Sequence, residues 1–391
     1  MTQAASMRPV LAAPVSRRGV GVSGFYLAHF LAALLPLTAG LLLYGWRGAA
    51  VVAAVAGSAA AAVAAWWHIG PRGRTLHWSQ CMWLALLLGL MLPAHLAARP
   101  AAGAVPAWPL LAAAGLLLVI LLWLFGGLGA GRVHPVVITY LVLVICFGSL
   151  LVPRRVLNID HMLSGDVLKS AATDTRTISE SWIGRRHTAA DAEYQEPAAE
   201  RLTRYTSGRE VPPRRWLPLY GLLRDNMPPL EDFVVAGQPG PIGASSVIAV
   251  IIGGLFLLYR GVIDYRIPLL TCLAAYAALL VLPVPVVITD APQWRWAAFR
   301  LPDINWSVDV TFVNYEITAS PLIFTAFFLA TAPAIRPMTR RGRTIYALAL
   351  GAVAAVMQLY VSVSYGPYLG LLIVSLLTPM LDRLFRVKPA V

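Results

Sequence analysis

Residues 241–269 read PIGASSVIAVIIGGLFLLYRGVIDYRIPL, and the stretch carries no charged side chain before Arg260. From Ser245 onward its apolar residues follow one another without the polar stripe of a soluble amphipathic helix. A helix over 245–262 would reach about 27 Å, close to the ~30 Å hydrocarbon thickness of a bilayer. The stretch therefore predicts a transmembrane helix that follows a glycine-rich turn.

The rest of the chain repeats this pattern. Hydrophobic residues make up 58% of the chain and charged residues 13%, whereas soluble domains contain roughly 25% charged residues. Such a chain must have lipid as its main solvent, so we predict an all-α polytopic membrane protein of about ten transmembrane helices. The other predicted spans are 25–44, 49–67, 78–97, 108–125, 134–152, 267–288, 312–332, 345–363 and 368–384.

The net charge of +13 lies in the apolar parts of the chain. The polar segment 154–243 holds 12 Lys/Arg and 12 Asp/Glu, whereas the remainder holds 19 basic and 6 acidic residues. Basic residues beside membrane helices mark the cytoplasmic side. Because the sequence has no basic face with interleaved aromatics, it indicates no nucleic-acid partner.

The distribution of basic residues predicts the orientation. With a cytoplasmic N-terminus, the cytoplasmic connections hold fifteen Lys/Arg and the short outer connections hold four. We therefore predict a multi-pass protein of the bacterial inner membrane with both termini in the cytoplasm. Its parts are a five-helix repeat (1–153), a periplasmic loop (154–243) and a second five-helix repeat (244–391).

A faint similarity between residues 39–65 and 253–279 supports the division into repeats. An odd number of spans in each half would give the two copies opposite orientations, which makes an inverted repeat. Alanine- and leucine-rich sequences also produce such matches by chance.

Two glycine-rich stretches flank predicted spans, one before the fifth span and one before the sixth. Glycine permits close backbone approach, and a helix N-terminus that follows it offers free N–H groups to an anion or a flavin phosphate. Plain turns between membrane helices are the alternative. The candidate backbone for a flavin or an ion path comprises Gly126, Gly127, Gly129, Gly240, Gly243 and Ser245.

Residues that carry other chemistry are few. No Asp or Glu precedes Asp160, and Glu316 is the only carboxylate inside a predicted span, so a carboxylate-lined cation route is not indicated. Cys81, Cys146 and Cys272 lie far apart in apolar runs, and we predict no metal site. Nucleotide-binding and hydrolase motifs are missing from the sequence, which argues against a soluble enzyme.

Four motifs, in their order along the chain, resemble the D subunit of Rnf complexes and the B subunit of sodium-translocating NADH:quinone oxidoreductases. The stretch 241–269 is one of them, and the resemblance extends over nearly all of 25–385. The others are AALLPLTAGLLLYGWRG (32–48), LFGGLGAGRVHPVVITY (124–140) and FTAFFLATAPAIRPMTRRGRTIYALALG (324–351).

The resemblance implies a ten-helix bundle of two inverted repeats, with other subunits of a membrane complex as partners. It also implies FMN that a flavin transferase joins by a phosphoester to a threonine in an outer loop. Some members also hold riboflavin between helices without a covalent bond. In this chain the corresponding residues, within SGDVLKSAATDTRT (164–177), are the acceptor Thr173 and the preceding Asp166, Ser170, Ala171 and Ala172.

The implied function is electron transfer through a periplasmic FMN, with or without coupled ion translocation. The chain would be a redox subunit of an oxidoreductase or translocase complex and not a stand-alone enzyme. Three alternatives stay open: a non-pumping electron conduit, a small-molecule transporter on the same fold, and a scaffold without flavin. A plain surface turn is the alternative for residues 170–173.

The predicted orientation can be checked with single cysteines introduced at Ser207 and Ser364 in a variant that lacks the native cysteines. We expect both positions to react with a membrane-impermeant thiol reagent from the periplasm, because both are assigned to outer connections. Reaction of position 207 only from the cytoplasmic side would contradict both the topology and the placement of the long loop.

Overall fold

A computed structural model describes residues 22–69, 76–97, 107–125, 133–151, 198–207, 222–223, 227, 230–235, 240–287, 294–297, 306–333 and 335–385. These residues are largely helical. The first half contains α1 (Val22–Tyr44), α2 (Trp46–Ile69), α3 (Trp78–Met91), a 3-10 turn (Ala94–Ala97), α4 (Trp108–Leu124) and α5 (Pro135–Leu151).

Two short helices, α6 (Ala198–Thr206) and α7 (Leu230–Val235), belong to the predicted loop. The second half begins with a 3-10 turn (Ile242–Ala244) and then forms the following elements: α8 (Val247–Tyr259), α9 (Arg266–Val281), β1 (Val284–Val287), β2 (Trp294–Ala297), α10 (Trp306–Ala319), the bent continuation α11 (Leu322–Leu329), α12 (Arg340–Tyr360) and α13 (Gly366–Leu384).

The helices fit a multi-pass membrane protein. Four are long and apolar enough to cross a bilayer, namely Gly24–Tyr44, Trp46–His68, Arg340–Tyr360 and Gly366–Leu384. A fifth span results if α10 and α11, which meet at 60°, are counted together. The shorter apolar helices are α3, α4, α5, α8 and α9. All ten predicted runs therefore fall on helices, and the passage of all ten through the bilayer stays a prediction.

The predicted span over 267–288 is wrong at its C-terminal end. Helix α9 ends at Val281, and β1 pairs antiparallel with β2, with Val284 opposite Ala297. Pro283 and Pro285 have no N–H to donate to a helix, and the intervening and following valines favour a strand. The fold class stays all-α, and the described residues add this short two-stranded pair between α9 and α10.

Proline also divides the third and eighth predicted spans. Helix α3 ends at Met91, just before Pro93, and α10 ends at Ala319, just before Pro321. Proline removes a backbone donor and disfavours the helical conformation of the residue before it. Helix α10 also begins earlier than predicted, so that it contains the buried Asp309 in addition to Glu316.

The same helix pairing occurs in both halves. The fourth helix of each half packs on the second helix, α4 on α2 and α12 on α9. A Cβ on Gly115 would lie 2.9 Å from Ala59 N, and one on Gly351 would lie 2.8 Å from Ala275 N. Small residues let helix backbones approach closely in a membrane, where packing replaces the hydrophobic effect. This agreement supports an internal repeat, while the inverted relation and the domain boundaries stay predictions.

A buried polar contact ties α10 to α12 close to the bend. Gln358 Nε2 donates to the backbone oxygen of Glu316 at 2.6 Å and to its Oε2 at 2.7 Å. Both side chains are fully buried. Hydrogen bonds in such a setting are electrostatically strong, so this pair fixes the position of α10 against α12.

Candidate functional site

The predicted glycine-rich start of the sixth span meets the break at the end of α3. Ile242 N donates to Leu92 O at 3.1 Å, and Pro93 and Pro241 form an isolated antiparallel bridge. Gly243 lies against Leu90 so closely that a Cβ would be 2.6 Å from Leu90 Cβ. The two chain segments therefore pair backbone N–H and C=O groups with each other at a point where neither forms an α-helix.

Side chains from both halves hold this junction together. The Tyr44 hydroxyl accepts from Gly240 N at 2.9 Å and donates to Gly240 O at 3.1 Å. Ser245 Oγ donates to Ile242 O at 2.9 Å, which keeps the 3-10 turn closed. Ser246 is the N-cap of α8 and accepts from Ala249 N at 3.4 Å. The predicted candidates Gly240, Gly243 and Ser245 are thus brought together.

A shallow cleft of about 320 Å³, open mouth included, lies beside the junction. Its described lining carries no ionisable side chain and consists of small or neutral residues from α6, α7, the junction and α10. Its polar groups are backbone groups and the Ser245 and Thr318 hydroxyls. The lining residues are Ala198, Ala199, Phe233, Gly240, Pro241, Ala244, Ser245, Thr318 and Ala319.

Other predicted site residues lie outside the described residues. These are the flavin-attachment residues Asp166, Ser170, Ala171, Ala172 and Thr173, and the glycines Gly126, Gly127 and Gly129. Their assignment stays a prediction.

A second polar cluster, which the sequence analysis did not predict, lies where α1, α3 and the start of α5 meet. The buried rings of His29 and Trp83 have centroids 4.9 Å apart, and those of Trp83 and His134 are 6.5 Å apart. The Tyr26 ring lies 5.5 Å from Trp83 on another side. Side chains from α1 and from the start of α5 therefore pack against this tryptophan of α3.

Hydrogen bonding in this cluster is incomplete among the residues that the structure describes. His29 Nδ1 lies 3.1 Å from Phe25 O, but His29 Nε2, Gln80 Nε2, Trp83 Nε1 and both ring nitrogens of His134 are buried without a partner. Each unpartnered buried group costs about 1–3 kcal/mol. Such a concentration indicates a bound ligand or water at this place.

A sequence signal for this cluster existed. His29 and Gln80 are polar residues inside otherwise apolar helices, and His134 directly precedes Pro135 at a helix start. Which of them face each other depends on how α1, α3 and α5 pack, and the linear sequence does not contain that information.

The comparison with protein families bears on both sites. The model of the NQR2, RnfD, RnfE family matches residues 10–390, which is nearly the whole chain. The chain belongs to the NQR2, RnfD, RnfE family. Both the junction and the cluster around Trp83 thus lie in the part of the chain that matches this family.

Curated relatives of this NQR2, RnfD, RnfE family member carry related names. The D subunit of the Na(+)-translocating ferredoxin:NAD(+) oxidoreductase complex of Acetobacterium woodii is 30% identical over 148 residues, or 38% of each chain. The D subunit of the proton-translocating ferredoxin:NAD(+) oxidoreductase complex of Clostridium ljungdahlii is 29% identical over 37% of this chain and 38% of the relative. These two alignments span little more than a third of either relative.

A longer alignment joins this family member to the D subunit of the ion-translocating oxidoreductase complex of Pectobacterium atrosepticum. It is 26% identical over 322 residues, which are 81% of this chain and 78% of the relative. The similarity therefore extends over both halves.

The junction yields a stability prediction. Gly243→Ala should destabilise the protein by about 1–3 kcal/mol, because the new methyl group meets Leu90 at a rigid backbone contact. Gly57→Ala is the control, since a Cβ there meets nothing within 4 Å and alanine favours a helix. Thermal unfolding of the detergent-purified variants measures both, and equal melting temperatures would contradict the tight junction.

Proposed function

We propose that this chain is the D subunit of an Rnf-type, ion-translocating electron transport complex. The family match over residues 10–390 carries the proposal, and the names of the relatives supply the activity and the partner subunits. On this proposal the chain sits in the inner membrane among several other subunits, and both of its termini are cytoplasmic.

The proposed cofactor on the outer side is FMN, joined by a phosphoester to Thr173. A hydroxyl acceptor is required because the bond is to phosphate, and Ser170, Ala171 and Ala172 precede Thr173. Small residues at 171 and 172 would let the flavin transferase, and later the flavin ring, approach the backbone. A flavin supplies one- and two-electron exchange, and the protein supplies position and electrostatics.

We assign a second, non-covalent flavin such as riboflavin to the cluster around Trp83 because of its unpartnered polar groups. The ring carries carbonyl acceptors and an N–H donor, and the cluster offers the unpartnered donors Trp83 Nε1 and Gln80 Nε2 together with unpartnered ring nitrogens of His29 and His134. Tyr26 and Trp83 supply aromatic surface. In this proposal these residues bind and orient the ring, and the apolar helices exclude water from it.

A non-pumping electron conduit is the second candidate function, and the pattern of carboxylates favours it. The first five predicted spans contain no Asp or Glu. In the second half, Glu316 accepts a hydrogen bond from Gln358, which gives this carboxylate a structural task. A transporter and a scaffold without flavin are distinguished from both candidates by the absence of bound flavin.

Flavin attachment is the first test. Protein co-produced with its own flavin transferase should fluoresce in a denaturing gel, and peptide mass spectrometry should find one FMN on the 170–176 fragment. Thr173→Ala should abolish the covalent signal because it removes the acceptor oxygen. Thr175→Ala is the matched control and should keep the signal. An unmodified 170–176 fragment would refute the covalent site.

The same preparation reports on the non-covalent flavin. After denaturation, the supernatant should contain riboflavin in wild-type and Thr173→Ala protein alike. A supernatant without flavin would remove the assignment of the Trp83 cluster and leave the Thr173 assignment standing.

Ion coupling has its own test. Glu316→Gln should leave any sodium or proton stimulation of the assembled complex within about twofold of wild type, because glutamine can still accept from Gln358 Nε2. Gln358→Leu is the structural control and should lower the melting temperature by leaving Glu316 without this donor. A large loss of ion stimulation in Glu316→Gln at normal assembly would show that this carboxylate serves the ion path.

A further inference from the structure

Two helix N-termini lie side by side at the end of the bundle that is predicted to be cytoplasmic. Asp264, just before α9, pairs with Arg343 in the first turn of α12, at 3.1 Å between Oδ2 and Nη1. Further along, Thr271 Oγ1 of α9 donates to Ala347 O of α12 at 3.3 Å. Helices α9 and α12 therefore run parallel, and the positive ends of their dipoles coincide.

Both helices begin with arginine where acidic residues would be favourable. Arg266 is the first residue of α9, Arg340 and Arg341 begin α12, and neither first turn contains an acidic residue. A positive side chain at a helix N-terminus opposes the dipole. Two adjacent helix ends therefore carry basic residues where acidic ones would be more stable. Departures of this kind are expected at binding sites.

The neighbouring carboxylates are already engaged. Asp264 binds Arg343 and accepts from the Arg266 backbone N–H, and Asp382 accepts from Met338 N at 2.9 Å. Arg340 and Arg341 are exposed and form no ion pair within the described part of the chain. The positive charge of this end is therefore largely uncompensated.

Arg336 adds a half-buried guanidinium to the same place. Burial, followed by the nearby charge of Arg343, lowers its pKa from the ordinary value, while Asp264 acts in the opposite direction. A nearby anion would offset the cost of burying this charge.

Exposed apolar and aromatic side chains begin directly beside the arginines. Ile345 and Leu348 are exposed on α12 within two turns of Arg341, and Tyr265 precedes Arg266. The Arg266 guanidinium lies 6.0 Å from the Tyr265 ring. A ligand that complements this surface needs an anionic head and an apolar tail. Aromatic rings beside the end of a membrane helix are typical of the membrane interface.

We propose that Arg266, Arg336, Arg340 and Arg341, here called the arginine surface, bind the phosphate headgroup of an anionic phospholipid. The guanidinium groups donate to the phosphate oxygens, and the positive ends of the two helix dipoles favour the anion. The acyl chains lie along the exposed side chains of α12. The proposal does not depend on the redox function, because it rests on the charges and exposed side chains of this surface.

The test uses the full chain, purified in mild detergent and stripped of lipid. Thermal unfolding is followed while cardiolipin or phosphatidylglycerol is added, with phosphatidylcholine as the neutral lipid. The anionic lipids should raise the melting temperature and phosphatidylcholine should not. In Arg340→Gln/Arg341→Gln the lipid concentration for half the effect should rise roughly 25-fold, because each basic residue contributes about fivefold.

Arg47→Gln/Arg204→Gln is the charge-matched control, since these residues lie on α2 and α6 away from the arginine surface. It should retain the wild-type response to anionic lipid. An unchanged response in Arg340→Gln/Arg341→Gln, or an equal effect of phosphatidylcholine, would overturn the proposal. Equal stabilisation by inorganic phosphate would assign the site to a soluble anion. Equal stabilisation by polyglutamate would assign it to an acidic polypeptide. Either result would overturn the lipid assignment.

Discussion

The backbone hydrogen bond from Ile242 N to Leu92 O reflects the constraint on which the rest of the structure depends. Lipid offers no hydrogen-bond partner, so any interruption of a membrane helix must find its partners within the protein. Here the end of α3 and the turn before α8 both interrupt the hydrogen-bond pattern of a helix. The turn supplies the donor, Ile242 N, and the end of α3 supplies the acceptor, Leu92 O. The close approach of Gly243 to Leu90 and the Tyr44 bonds to Gly240 follow from that requirement. Because one partner comes from each half of the chain, the two halves cannot be assembled independently at this point.

The polar residues of the helices follow two different patterns. Glu316 Oε2 and Gln358 Nε2 bond to each other and hold α10 against α12, although Gln358 Oε1 has no partner among the described residues. The residues around Trp83 leave several donors and acceptors without partners in the described structure. The first pattern is typical of a structural contact and the second of a binding site, because stability alone would favour apolar residues at unpartnered positions. This contrast is a stronger guide to function than the presence of polar residues in apolar helices.

Much of this architecture could be predicted from the sequence. The apolar runs fell on helices because a helix long enough to cross lipid needs continuous apolar sequence, and that feature is local. The family could be predicted because four motifs occurred in order. Helix ends were predicted less well: α9 ends before Pro283, the valines of 284–287 favour strand β1, and α10 begins early, at Trp306. The junction glycines were found, but the cluster at Trp83 was not. Its members come from three helices, and only packing brings them together.

Helices α3 and α8 have 14 and 13 residues. At 1.5 Å per residue they extend about 20 Å, well short of the ~30 Å hydrocarbon thickness. One end of each lies at the same junction, where Tyr44, the last residue of α1, bonds to Gly240. Hydrophobic mismatch of this size is relieved by local thinning of the bilayer or by protein that covers the gap. A thicker bilayer would therefore strain α3 and α8 more than the long helices α1 and α2, so lipid length acts on this protein first through its two shortest membrane helices.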